Sequence, residues 1–182
     1  MTDFSSLPAR AQARLASISA AASGVVPYEI RKWTIETRSL VASGGEPQII
    51  SEVREWSEKG CLYLYHMTIS SSITDPSDLS EAYTAARTLE KGTRAYARIN
   101  KPSLCLYVGS SAKIHQRLKE HLGYGARSTY SLQLAHWAKP FDLEVELECA
   151  KYPAGTDPKG LQALEDTHWS ELRPMFGRQG AR

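Results

Sequence analysis

The most regular pattern in the chain is an alternation of apolar and acidic residues from 142 to 149. A period of two places the apolar side chains on one face of a strand and the carboxylates on the other. The apolar positions are Leu143, Val145, Leu147 and Cys149, and the acidic positions are Asp142, Glu144, Glu146 and Glu148. Four carboxylates on one face would repel a phosphate backbone, so we expect that face to lie in solvent, away from any substrate groove.

Two shorter apolar runs, at 61–67 and 103–108, predict strands in the hydrophobic core because they are rich in aromatic and apolar residues and too short for helices. Each presents a tyrosine after Cys-Leu, namely Tyr63 and Tyr107. The simplest interpretation is a pair of core aromatics packed across strands. With the strand at 142–149, the pattern predicts a sheet of three strands.

Helical spacing dominates residues 1–59, which we interpret as a helical N-terminal region with helices at 8–22, 28–42 and 47–59. The remainder, residues 60–182, is predicted to form the main domain, with helices at 112–122, 130–138 and 159–172. A polar loop at 70–76 and a helix that starts near Asp75 and ends before Gly92 predict a surface insertion at about 70–101.

Composition adds little about partners. The 182 residues include 22 basic and 20 acidic side chains, a formal net charge of +2, so any basic surface must arise from folding. Three cysteines in apolar stretches are typical of a reducing compartment rather than of a disulfide framework. No apolar segment approaches about eighteen residues, so we expect a soluble, cytoplasmic protein that does not enter a membrane.

The predicted helix at 112–122 carries the first candidate chemistry. Arg117 and His121 are four residues apart and so share a helix face, whereas Ile114, Leu118 and Leu122 form the opposite, apolar face. Such a pair is most often a solvated helix face. Here it directly follows a strand that ends in Tyr-Val-Gly, which is a less common arrangement.

These residues resemble the GIY-YIG nucleases. The segment Cys61-Leu62-Tyr63 stands where that family has its first triplet, and Tyr107-Val108-Gly109 stands where it has its second. The family's arginine and the histidine one turn later match Arg117 and His121, and its metal-binding glutamate matches Glu165 in a later helix that ends before Pro174. The resemblance covers about residues 60–180.

The chain departs from the family pattern at three places. Cys61 replaces the glycine of the first triplet, with Gly60 displaced by one, so the first tyrosine is either Tyr63 or Tyr65. The segment between the two triplets is unusually long. Gly177 stands where the family has an asparagine, whose supporting role would fall to Gln179 or Arg178, or be absent.

The resemblance implies an α/β fold with a small, three-stranded, mostly antiparallel sheet flanked by helices. It also implies an endonuclease that hydrolyses phosphodiester bonds in DNA, with RNA as the alternative substrate, and that binds Mg²⁺ or Mn²⁺ through Glu165. Arg117 would contact the scissile phosphate, Tyr63 would act as general base or position the water, and His121 would relay a proton. Tyr107 would orient the phosphate or the water.

Further phosphate contacts are expected from the start of the helix at 112–122. The backbone amides of Gly109, Ser110 and Ser111 precede that helix, and amides at a helix start bind anions well. Lys113 is the nearest cation and completes the predicted substrate-binding set.

Two other functions are compatible with the sequence. The first is a nucleic-acid-binding module on the same scaffold that no longer cleaves, which the altered first triplet and Gly177 would explain. The second is a structural interaction domain, which would require the polar face of the 112–122 helix to be buried against a partner. No two histidines lie with a cysteine at the spacing of zinc ligands, so we do not expect a structural zinc.

Overall fold

The computed structural model describes residues 5–42, 44–71 and 75–180 and has an α/β architecture. The described strands number four, form one sheet in the order β1-β4-β2-β3, and pair antiparallel throughout. Its helices are α1 (Leu7–Ser23), α2 (Gln48–Trp56), α3 (Pro76–Leu89), α4 (Ile114–Leu122), α5 (Leu134–Trp137) and α6 (Pro158–Leu172). Its strands are β1 (Glu29–Glu36), β2 (Leu62–Ile69), β3 (Cys105–Ser111) and β4 (Glu144–Tyr152).

The prediction of a helix at 28–42 is wrong, because most of this segment forms β1. Trp33 and Ile35 are buried on alternate positions, with exposed residues between them. On the same strand Lys32 forms ion pairs across to Glu146 and Glu148 of β4. The sheet therefore has four strands rather than the expected three, and the region before residue 60 contributes one of them.

The other predicted elements are present with shifted ends. The three predicted strands correspond to β2, β3 and β4, and the predicted helix at 130–138 is reduced to the single turn of α5. Asp75 caps α3 by accepting a hydrogen bond from the Ser77 backbone N–H. The centre of the predicted loop at 70–76 lies outside the described residues.

The helix of the insertion packs into the core and is not a surface appendage. Leu79 and Tyr83 of α3 are buried, and the Tyr83 ring lies 4.2 Å from the ring of Phe176. The Tyr83 hydroxyl donates to the carbonyl of Ala97, which lies after the helix. The insertion is thus tied both to the C-terminal segment and to the segment that follows its own helix.

Helices pack on both sides of the sheet. One face carries Tyr63, Tyr65 and Met67 and is buried in the main core. The other face carries His66 and the acidic residues of β4, and α6 lies along it beside β3. In the described part of the chain, no helix has the length and apolar character needed to cross a membrane.

Candidate active site

The ring of Tyr107 is fixed at the edge of the sheet by two glycines. A Cβ atom at Gly109 would lie 2.6 Å from Cε1 of Tyr107, and a Cβ atom at Gly177 would lie 3.0 Å from its Cε2. Gly177 also has a φ of +107°, which L residues rarely adopt. The glycine of the second triplet is therefore needed for Tyr107 to pack as it does, and the same packing disfavours an asparagine at position 177.

The guanidinium of Arg117 links Tyr107 to the loop that follows α4. Its Nη2 donates to the Tyr107 hydroxyl and to the Tyr130 carbonyl, both at 3.1 Å, and its Nη1 donates to Glu120 at 2.7 Å. Burial lowers the pKa of Arg117, but the neighbouring oxygens of Tyr65, Tyr107 and Glu120 outweigh burial and raise it overall. The side chain is 14% exposed, so a fixed positive charge lies just beneath the surface.

Tyr65 and His121 form a buried hydrogen-bonded pair beside this guanidinium. The His121 Nδ1 accepts from the Leu132 backbone N–H at 3.3 Å, so a neutral imidazole must carry its proton on Nε2. The His121 Nε2 lies 3.0 Å from the Tyr65 hydroxyl and therefore donates to it. Burial, followed by Arg117, holds the pKa of His121 well below its usual range, which keeps the ring neutral.

The phenol of Tyr65 stays protonated in this environment. Burial is the main cause that raises the pKa of Tyr65 well above its usual value, and Tyr107 and Glu165 add to it. Arg117 opposes these effects through its charge and a hydrogen bond. The Tyr65 ring also stacks on Tyr107 with centroids 5.9 Å apart, so the two tyrosines and Arg117 form one cluster.

Tyr63, the first-triplet tyrosine in the resemblance, lies outside this cluster. Its hydroxyl accepts a hydrogen bond from the Glu58 backbone N–H at 2.6 Å, and its ring packs 5.4 Å from that of Trp56. Of the two tyrosines that the sequence left open, the structure therefore brings Tyr65 next to Tyr107 and Arg117. The β2–β3 register explains this, because Tyr65 is paired with Gly109 whereas Tyr63 is paired with Ser111 beyond it.

Glu165 reaches the same end of β3 from α6. The Ser110 hydroxyl donates to its Oε2 at 2.5 Å, and Glu165 influences the pKa of Tyr65. Among the described residues there is no group of three or more His, Cys, Asp or Glu side chains that could hold a metal ion. A cation held here would rely on the hard oxygens of Glu165 and on water, a set that fits Mg²⁺ or Mn²⁺ better than zinc.

The other predicted substrate contacts are differently placed from what we expected. Gly109, Ser110 and Ser111 belong to β3 and pair with β2, so their amides are not the first turn of a helix. The helix begins at Ile114, and the Ser111 hydroxyl accepts from the Lys113 backbone N–H at 2.9 Å. Of the predicted substrate contacts, the exposed Lys113 side chain is the one that lies at the start of this helix.

An asparagine supports the site from the insertion. The Asn100 Nδ2 donates to the carbonyls of Pro174 and Gly177, at 3.1 and 3.2 Å, and so holds the C-terminal segment against Tyr107. Gln179 donates instead to Asp166 and Ser170 of α6. No sequence pattern indicates Asn100, since it is 77 residues from Gly177 along the chain.

Arg117 and His121 pack against other parts of their own chain. Comparison of the chain with protein-family models, with curated proteins and with solved structures finds no match. The likeness to the GIY-YIG nucleases therefore rests on the residues of the site.

Proposed function

We propose that this protein is a metal-dependent endonuclease that hydrolyses phosphodiester bonds in DNA. The observation that carries the proposal is the cluster of the Tyr65–His121 pair, Tyr107 and Arg117 beside β3, with Glu165 bonded to Ser110 of the same strand and close enough to influence the pKa of Tyr65. These residues come from β2, β3, α4 and α6, and they match the order of the motif residues in the GIY-YIG nucleases except at the first tyrosine. Phosphodiester hydrolysis needs an activated water and stabilisation of charge on the phosphate oxygens.

Arg117 is suited to bind the scissile phosphate. Its charge is permanent, and Tyr107, Tyr130 and Glu120 hold the guanidinium in place by accepting both protons of Nη2 and one of Nη1. Its remaining N–H groups, and those released where a phosphate displaces one of these acceptors, would donate to phosphate oxygens. Because the guanidinium is largely shielded from water, its attraction for a phosphate is screened less than that of a surface lysine. Preorganisation of this kind lowers the cost of stabilising the transition state.

Tyr65 is suited to position the attacking water. Its hydroxyl oxygen accepts from His121 Nε2, which orients its own O–H away from the imidazole. A protonated phenol donates one hydrogen bond, and it gains basic character only where added positive charge lowers its pKa. His121 then acts as a positioning residue for Tyr65, rather than as the proton relay that the resemblance suggests.

Glu165 is the residue that would hold the metal. The hydroxyl of Ser110 fixes one of its oxygens at the end of β3. When bound there, Mg²⁺ or Mn²⁺ supplies a water of lowered pKa and neutralises charge on the phosphate. Tyr107 completes the arrangement by orienting the phosphate through the hydroxyl that it shares with Arg117.

A panel of plasmid, single-stranded and branched DNA, with RNA as a further substrate, tests the proposal. Each is incubated with wild-type protein and with Glu165→Ala, in Mg²⁺, in Mn²⁺ and in excess chelator. Cleavage that requires metal and is lost in Glu165→Ala supports the endonuclease. Nucleic-acid binding without metal-dependent cleavage favours the non-cleaving module, for which Gly177 in place of the family's asparagine is the motivating observation.

A further inference from the structure

An exposed aromatic residue, Tyr130, is joined to the site through its backbone. Tyr130 is 66% exposed, and among the described residues its hydroxyl has no hydrogen-bond partner. Its backbone carbonyl accepts from the same Arg117 nitrogen that donates to Tyr107, and each distance is 3.1 Å. The Tyr130 carbonyl oxygen and the Tyr107 hydroxyl are therefore at most about 6 Å apart.

Two exposed arginines lie on backbone segments that border the site. The Arg98 carbonyl accepts from the Gly177 backbone N–H at 2.9 Å, so Arg98 is the neighbour of the segment that packs against the Tyr107 ring. Arg178 follows Gly177 directly and is also exposed. Neither arginine forms an ion pair within the described parts of the chain.

The backbone at 95–98 and in the loop after α4 is well anchored, although Arg98 and Tyr130 on these segments are exposed. Residues 95–98 hydrogen-bond to the loop after α4, with Ala95 donating to the Arg127 carbonyl and Ala97 donating to the Ser131 carbonyl. Tyr83, 0% exposed, anchors the same segment through the Ala97 carbonyl. Because this backbone is anchored, binding of a flat ligand would order only the Tyr130 side chain, which limits the entropy cost.

We propose, on the basis of the proposed nuclease function, that Tyr130 stacks on an unpaired base next to the phosphate held by Arg117. Arg98 and Arg178 contact neighbouring phosphates of the same strand. In a duplex the faces of each base are covered by its neighbours, so a ring can stack only where the strand is single or locally opened. The substrate class is therefore single-stranded DNA, or DNA that is unpaired at the point of cleavage.

Binding of a short single-stranded DNA with one 2-aminopurine, compared with the same strand in a duplex, tests this proposal. The measurements use full-length protein in the Glu165→Ala background, so that cleavage does not intervene. Stacking predicts that Tyr130→Ala and Tyr130→Leu weaken single-strand binding by about 10-fold and remove the quenching of 2-aminopurine. Tyr130→Phe should retain both, because the aromatic ring is kept.

A matched charge control completes the design. Arg98→Ala should weaken binding and reduce its salt dependence by about one released ion. Arg31→Ala removes an exposed arginine from β1, at the far edge of the sheet, and should change neither. Folding of every variant is checked by urea denaturation.

Equal binding by Tyr130→Leu and Tyr130→Phe overturns the proposal, as does equal loss of single-strand and duplex binding in Tyr130→Ala. Absence of nucleic-acid binding overturns it as well. If wild-type protein cleaves none of the panel but the Tyr130 pattern is found, the nuclease function fails while the stacking surface stands. If wild-type protein cleaves but Tyr130→Ala binds and cleaves as well as wild type, the stacking surface fails alone.

Discussion

Replacement of Tyr65 and of Tyr63 by phenylalanine gives a matched pair of variants. Both tyrosines are on β2, two residues apart on the same face, and both are buried, with 2% and 0% exposure. Both hydroxyls are hydrogen-bonded, that of Tyr65 to His121 and that of Tyr63 to the Glu58 backbone N–H. We expect Tyr65→Phe to abolish cleavage and Tyr63→Phe to leave it nearly unchanged.

The cost in stability should be similar for the two variants. Tyr65→Phe leaves the buried His121 Nε2–H without its acceptor, and Tyr63→Phe does the same to the Glu58 N–H. Loss of one partner in such a bond costs about 1–3 kcal/mol. Because the free energy of unfolding of a small domain is about 5–15 kcal/mol, both variants should remain folded.

The effect on catalysis should differ by orders of magnitude. A group that positions or deprotonates the attacking water contributes about 10²–10⁴ to the rate, and only Tyr65 lies within the cluster of Arg117 and Tyr107. The assay measures kcat/KM on a cleaved DNA substrate with Mg²⁺, together with the free energy of unfolding in urea. A loss of activity in Tyr63→Phe that equals or exceeds the loss in Tyr65→Phe would refute this assignment.

Three further substitutions extend the account. Arg117→Lys should lower kcat by at least about 100-fold because an ammonium group lacks the planar arrangement of donors of a guanidinium, and circular dichroism should show an intact fold. Turnover near that of wild type would exclude Arg117 from the mechanism. Gly109→Ala should cost about 1–3 kcal/mol in urea unfolding and reduce cleavage, since its Cβ would lie 2.6 Å from Tyr107; unchanged stability and activity would contradict this packing. Burial lowers the pKa of His121 in the folded protein. As the pH falls below about 6.5, the imidazole therefore takes up a proton only in the unfolded chain. The free energy of unfolding decreases as a result. His121→Gln should make that decline between about pH 6.5 and 5 shallower, and an unchanged slope would argue against a neutral, buried ring.

Helices and strands with a clear local pattern could be predicted from the sequence. Strand β1 could not, because its local pattern is ambiguous. Trp33 and Ile35 fit a period of two, but with Ile30 and Leu40 they also fit an irregular helix. What decides between the two is pairing with β4, more than a hundred residues later in the chain, as in the Lys32–Glu146 contact. Contacts so distant in sequence leave no local pattern to interpret.

The site shows the same division. A spacing of four placed Arg117 and His121 on one face of α4, and the structure confirms that both lie on this helix and meet the tyrosine cluster. A period of two put Tyr63 and Tyr65 on the same face of β2, so only the pairing register with β3 could separate them. Support from Asn100 arises wholly from folding of the insertion and could not be predicted.

Cleavage of DNA by Glu165→Gln, measured beside the control Glu171→Gln, shows whether Glu165 holds the catalytic metal. Both substitutions are made on α6, both remove one carboxylate charge, and glutamine at 165 retains an oxygen that can accept from Ser110. We expect Mg²⁺-dependent cleavage to fall by at least about 100-fold in Glu165→Gln and to be unchanged in Glu171→Gln. Cleavage at the wild-type rate by Glu165→Gln, with the same dependence on Mg²⁺, would contradict it.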